Sequence, residues 1–421
     1  MGMNAIEKIL ANHSEQDVVK PGDVVIVDVD VMVSFDYMRD DVYKIHDPDK
    51  LVLLHDHQVP APTVGAANNH KKMREFVDKF KVKNYYPQGQ HGISHVLVAQ
   101  EGLAVPGEIL VNGDSHTCSS GALNVLARGM GPSEMTYILC KGKTWYPVGP
   151  TTKVVLNGEL PERVFPRDVI HYIAGEYGAF AGRNLEWHGD GLSTIDMDGR
   201  LTMATISAEL SVEFSLFPCD DVLRTYMEGR AKRPFEGVGP DEDATYEQVI
   251  EIDLGSLEPQ VVLPGHVAHN SRDIGEVVGL GRKVDQAFIG SCANGRLSDF
   301  KIAAEIVKGK KVADGTRFIV TPGTQAILKE AIRLGYVETL MDAGAMVTVS
   351  TCGACFGGHM GLLADGETAI TASTRNFKGR MGSPHAEVFM GSPATVAASA
   401  IAGVITDPRT CLLYTSPSPR D

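Results

Sequence analysis

The chain has 421 residues, of which 43% are hydrophobic, 22% charged and 7% aromatic, a globular profile long enough for about three domains. Its formal net charge of −14 argues against a general affinity for nucleic acid or anionic membrane, while leaving room for a locally basic pocket. Seven scattered cysteines do not make a disulfide framework and point to a reducing, cytoplasmic setting.

The opening residues lack the basic-then-apolar pattern of a signal peptide, and no uninterrupted apolar run approaches the ~20 residues of a membrane span. Next comes "LLHDHQ", with His55, Asp56 and His57. The basic stretch "KKMREFVDKFKVK", residues 71–83, sets Met73, Phe76, Val77 and Phe80 at helical spacing and interrupts its charge with Glu75 and Asp78. It predicts a solvated amphipathic helix rather than a nucleic-acid patch. "GQHGISHVL" carries His91 and His95, and "EILVNGDSHTCSSGALNVLARG" reads as strand, turn and helix with Asp114, Ser115 and His116 in the turn. A break near "WYPVGPTT" precedes "NLEWHGDG", which holds Glu186 and His188.

The stretch 228–246, charged and rich in Gly and Pro, reads as a linker. Beyond it, "VDQAFIGSCANGRLSDFKIAAEIVKG", "TRFIVTPGTQAILKEAIRLG" and "AMVTVSTCGACFGG" each run from a strand into a glycine-rich loop. "STRNFKGRMGSPHAEVF" follows, with Arg375 and Arg380. The alternation predicts an α/β architecture with largely parallel sheets, divided into 1–148, 149–240 and 241–410. The tail 411–421 shows neither helical nor strand period and is set aside as foreign or disordered.

Ligands in such folds collect beyond the carboxyl ends of strands, where Cys292, Cys352, Cys355 and Asp114 fall. Cys352-x-x-Cys355 alone admits a zinc half-site, a redox dithiol or part of an iron–sulfur site. Cys292, in a second strand-end loop, opens a three-thiolate set; on a [4Fe–4S] cluster that leaves one iron free to act as a Lewis acid. A carboxylate beside an imidazole suits proton transfer near neutral pH. His55 and His57 also read as a zinc pair, and Asp114-Ser115-His116 is not a hydrolase triad because neighbouring side chains cannot converge. Two arginines in a glycine-rich loop suit a di- or tricarboxylate.

The motifs "HDH", "GISH", "GDSHT", "IGSCANG", "STCGACFGG" and "RNFKGRMGS", in this order, resemble the large subunit of the aconitase superfamily, of the 3-isopropylmalate dehydratase and homoaconitase type, over residues 1 to about 410. The resemblance implies three α/β/α domains around a [4Fe–4S] cluster with Cys292, Cys352 and Cys355 as ligands. It implies three acid–imidazole pairs: Asp56 with His57, His95 with Asp114, and His116 with Glu186. Ser115, Arg375 and Arg380 would bind substrate carboxylates. The reaction would be reversible removal of water from a 2-hydroxy-dicarboxylic acid, with isopropylmalate, homocitrate, 2,3-dimethylmalate and citraconate or maleate chemistry as the alternatives. The family's swivelling domain and serine base would come from a separate small subunit. Thr374 stands where the family has Asn. A cluster-free RNA-binding regulator is a rival that the net charge and the lack of a basic stripe oppose, and a zinc hydrolase is another.

Overall fold

A computed structural model describes residues 2–36 and 42–414. Three largely parallel sheets organise the described residues, beside a two-stranded antiparallel one that pairs Val24–Asp28 with Lys143–Pro147. The first has five parallel strands in the spatial order Asn84–Tyr86, Leu51–Leu54, Val31–Phe35, Ile109–Asn112, Leu126–Gly129. The chain builds outward from Val31–Phe35, then returns to its other side. The strand order therefore reverses between Val31–Phe35 and Ile109–Asn112, and the loops leaving these two strands diverge and open a crevice at their carboxyl ends. Strands Leu51–Leu54 and Ile109–Asn112 are buried at every position, as expected where both faces of a parallel sheet are covered.

The third sheet repeats the device. Its five parallel strands run in the order Glu387–Met390, Thr368–Thr371, Gln286–Ile289, Arg317–Val320, Met346–Val347. Gln260–Val262 and Ser271–Asp273 add an antiparallel edge. The reversal here lies between Gln286–Ile289 and Thr368–Thr371. The helix Leu297–Val307 buries Phe300, Ala303, Ala304 and Val307, the spacing read from the sequence.

Between them lies a four-stranded parallel sheet, Ser215–Leu216, Asn184–His188, Thr151–Asn157, Gln248–Asp253. Its last strand corrects the boundary expected at 240. Gln248–Asp253 pairs with Thr151–Asn157 over six residues, so the second unit closes after the linker. Its half-exposed alternation marks it as a sheet edge, which composition cannot assign to one sheet or the next. The stretch 228–246 is free of regular strand beyond one isolated bridge and holds no helix past Met227. It is a fastened strap: Arg233 pairs with Glu108, Asn124 exchanges hydrogen bonds with the Val238 backbone, and Lys8 meets Asp241 at 2.8 Å.

The basic stretch lies on the helix Val64–Phe80, capped by the Thr63 hydroxyl accepting from the Ala66 N–H. Met73 and Phe76 are buried and Val77 and Phe80 pack beside them, leaving the lysines on the outer face as an amphipathic helix requires. Of the tail set aside, Cys411 packs at the edge of the third-sheet core and its carbonyl accepts from Lys310; residues 415–421 lie outside the described residues. Among the described residues, no helix is long and apolar enough to cross a membrane.

Candidate active site

Segments that follow strands of the first and third sheets, at and beside the two reversal points, meet around one cavity of about 150 Å³, walled by His57, His95, Asp114, His116, the three cysteines, Thr374, Arg375 and Arg380. First-sheet strands supply the acid and imidazole groups. Third-sheet strands supply the thiols and guanidiniums. Thr351 ties the halves together, its hydroxyl donating to the carbonyls of Asp56 at 3.0 Å and His57 at 2.8 Å.

Asp114 is the hub of the proton-transfer groups. Its Oδ1 lies 2.9 Å from His95 Nε2, accepts the His116 N–H at 2.8 Å and sits 3.4 Å from His116 Nδ1; its Oδ2 lies 3.6 Å from His57 Nε2. The peptide at Gly129 lets this loop close in, since a Cβ there would stand 2.3 Å from the Asp114 carbonyl oxygen. Burial opposes the charge on Asp114, but His116 and His95 outweigh it and hold the carboxyl well below its usual range. Burial likewise disfavours the His116 cation, yet Asp114 and Glu209 raise that imidazole to about 9. His57 is raised too, as Asp56, Asp114 and Asp36 together overcome its desolvation. Its ring stacks on Phe35 and meets the edge of Phe356. His57 Nδ1 stands 3.3 Å from Asp56 Oδ1, and Asp56 Oδ2 accepts the Ser94 N–H at 2.8 Å.

Two of the three acid–imidazole pairs thus come together. The third does not. His116 Nε2 bonds Glu209 Oε1 at 2.8 Å, while Glu186 is spent elsewhere, accepting from the Ala5 N–H and the Tyr246 hydroxyl and bonding His188 at 2.9 Å. The reason is period: residues 186 and 188 share one face of the strand Asn184–His188, so they satisfy each other. Glu209 arrives from the turn Ser207–Leu210 after the helix Met197–Ile206. A carboxylate just past a helix carboxyl end is disfavoured by the dipole, and that was the available signal for it. Asp36 was also missed. It ends the strand Val31–Phe35 and accepts the backbone N–H of Asp56 at 2.8 Å and of His57 at 2.7 Å, fixing the loop that carries both.

Cys292, Cys352 and Cys355 are buried and free. The turn at Cys352–Cys355 needs Gly353, whose φ is +60° and where a Cβ would stand 2.7 Å from the Thr321 hydroxyl. Burial disfavours charge on all three thiols and holds Cys292 and Cys352 well above the usual thiol value; at Cys355 the Arg380 guanidinium outweighs it and the net shift is downward. Arg380 lies 3.5 Å from Cys355 Sγ. Three buried sulfur donors that share one cavity and are short of countercharge form a donor set suited to an iron–sulfur group, which binds as thiolates. Thr374 is fully buried, with its hydroxyl 3.8 Å from Cys355 Sγ, so the hydroxyl stands against the sulfur.

Arg375 is engaged by Glu209 at 2.7 Å and donates to the Ser115 hydroxyl at 3.0 Å. Ser115 therefore faces the arginine, not His116 as a triad would require. Arg380 keeps a buried Nε without a partner, a donor available to an anionic ligand. Deeper still, Arg167 donates to the Asn294 side chain at 2.6 Å and to the carbonyls of Ala372 and Ser373. It clamps the Cys292 loop to the arginine loop.

A cavity that joins sulfur donors, proton-transfer pairs and a free guanidinium edge suits removal and addition of water on an anionic substrate, the work of a metal-assisted hydro-lyase. The sequence profile of the aconitase family (aconitate hydratase) matches residues 7–278 and 271–403. The 3-isopropylmalate dehydratase large subunit of Mycolicibacterium smegmatis is 48% identical over 97% of this chain and 97% of its own length. That of Nitratiruptor sp. is 42% identical over 97% of this chain and 100% of its own. The chain belongs to the aconitase family, a family of iron–sulfur hydro-lyases. The holo-form of aconitase X from Thermococcus kodakaraensis matches at a TM-score of 0.47 and 12% identity over 91% of this chain and 92% of that one.

Proposed function

We propose that the chain is the large subunit of a 3-isopropylmalate dehydratase, with Cys292, Cys352 and Cys355 holding a [4Fe–4S] cluster. The observation that carries this reading is that the three thiols and the Asp114 network share one cavity. The substrate is the one for which the relatives, 3-isopropylmalate dehydratase large subunits, are named. A cluster with one iron free of protein ligands would supply a Lewis acid to the departing hydroxyl. Around it, His57 and His116 donate protons: both imidazoles are shifted toward the charged form, and carboxylates hold them oriented. Arg380 offers its unpartnered Nε to a substrate carboxylate, and Arg375, braced by Glu209, offers a second guanidinium. Water leaves one carbon and returns to its neighbour, so the net change is an isomerisation through an unsaturated acid.

The reaction also needs a base to take a proton from carbon. Guanidinium stays protonated at working pH, and the imidazoles are drawn to the acid role. The relatives are named as large subunits, and a small subunit carrying a serine on a swivelling domain would complete the site. Purified anaerobically and loaded with iron and sulfide, the chain alone should form no unsaturated acid from isopropylmalate, and adding the small subunit should switch the reaction on. Robust turnover by the chain alone would overturn the two-subunit reading.

A further inference from the structure

Behind the catalytic loop lies a second group of donors, of which only Asp36 serves that loop, by accepting its N–H groups. His55, His70 and Asp36 are all buried, and one ligand atom from each lies within 4.8 Å of the other two. His55 precedes Asp56 in sequence but turns away from the cavity. Its ring meets that of His70 edge-on, with centroids 4.4 Å apart. His55 Nδ1 and His70 Nε2 are both buried without a hydrogen-bond partner, and His70 Nε2 lies 4.0 Å from Asp36 Oδ1. Two orphaned imidazole nitrogens beside a carboxylate oxygen are expensive to leave unsatisfied.

The far side of each ring is already supported. His55 Nε2 lies 3.0 Å from the Tyr85 hydroxyl and His70 Nδ1 lies 2.7 Å from the Gln88 amide. Metal-bound histidines have such partners, which fix the tautomer and aim the other nitrogen. With the Gln88 amide turned to present its oxygen, a choice set only by the hydrogen-bond network, His70 Nδ1–H donates to it and Nε2 is left as a lone-pair donor. Burial pushes the His55 imidazole down to about 4 and lowers His70 as well, so both rings are neutral.

We propose that His55 Nδ1, His70 Nε2 and Asp36 Oδ1 bind a divalent first-row metal ion of the zinc class, separate from the thiol site. Two nitrogens and one carboxylate oxygen suit Zn²⁺ or its neighbours, with a water in the fourth place. Ligand atoms on a tetrahedral Zn²⁺ stand about 3.3 Å apart, so the three side chains close inward by small rotations. The role is positional. Asp36 accepts the N–H groups of Asp56 and His57, and a cation on its carboxylate pins the main chain that aims that pair.

The test uses the chain with its iron–sulfur sites filled, so that the cysteines are occupied. After incubation with Zn²⁺ and desalting, elemental analysis should find one equivalent of zinc beyond the iron, and His70→Gln should lose it while keeping the iron–sulfur absorbance. With Co²⁺ in place of Zn²⁺, the wild type should show ligand-field bands with no sulfur-to-cobalt charge transfer, which decides the matter even where His70→Gln fails to fold. No retained metal, a sulfur-to-cobalt band, or a folded His70→Gln that still holds its zinc would each overturn the proposal.

Discussion

Two clusters in this chain are built from the same parts and do different things. One joins Asp114, His116 and Glu209 at the carboxyl end of a parallel strand, against the thiol cavity. The other joins Glu186, His188 and Tyr246 along the strand Asn184–His188, beside the first helix of the chain. Each is a carboxylate bonded to an imidazole, fully buried at Glu186 and largely withdrawn from solvent at Asp114 and Glu209. In the second, the carboxylate is consumed by structure: it caps the approach of Ala5 and satisfies a tyrosine hydroxyl that burial and that carboxylate keep protonated. In the first, the imidazole carries a charge above neutral pH and faces a cavity. A carboxylate–histidine pair is thus a chemical part without a fixed role. Its place relative to the strand ends decides whether it reacts or braces.

The comparison breaks most readily in turnover. With the small subunit present, His116→Ala should lower kcat by ~10²–10⁴-fold, the usual loss for a general acid–base group. Glu209→Gln should move kcat in the same direction, with the cluster absorbance retained in both. Glu186→Gln should leave kcat near the wild-type value and lower the stability of the fold by about 1–3 kcal/mol, as a buried hydrogen-bonded group loses its match. Steady-state rates and urea midpoints on the same preparations separate the two patterns. Equal kcat losses at Glu186 and Glu209 would erase the distinction.

A third pair sharpens the comparison with a smaller effect. His13 Nε2 and Asp30 Oδ2 are 2.7 Å apart near the surface. Burial works against both charges. The Asp30 contact nevertheless raises His13 above 6.5, and the His13 contact, together with the Ile109 N–H that Asp30 accepts, lowers Asp30 below 3.8. The His13 contribution is complete below 6.5 and is lost as pH rises through the raised value. The Asp30 contribution is present above 3.8 and is lost as pH falls through the lowered one. The stability difference between the wild type and Asp30→Asn should therefore peak between those two values and shrink on either side, amounting to about 1 kcal/mol for a half-buried pair that solvent still screens. Denaturant unfolding across pH measures it, and a flat difference would contradict it.

The loops that matter were legible because a strand followed by a glycine-rich turn is a local pattern, and the cysteines, Asp114 and the arginines sit in such turns. The partner of His116 was not. Glu209 lies 93 residues away in sequence, and Glu186 offered the more obvious acid–imidazole motif. Only the packing of the turn Ser207–Leu210 against the cavity separates them. Asp36 and His70 escaped for a similar reason, since one ends a strand and the other lies inside a helix whose apolar stripe explained it. The strand Gln248–Asp253 was hidden because an edge strand joins whichever sheet offers a free neighbour. Sequence spacing shows which residues share a face, and long-range packing decides which faces meet.

The claim on which the rest depends is that three particular thiols share one iron–sulfur group. Each of Cys292→Ser, Cys352→Ser and Cys355→Ser, prepared anaerobically and incubated with iron and sulfide, should lose the iron–sulfur absorbance and most of its iron. Cys118→Ser should keep both, because that thiol is bonded to the Ala204 carbonyl away from the cavity. A full iron and sulfide content in Cys352→Ser would contradict the account directly.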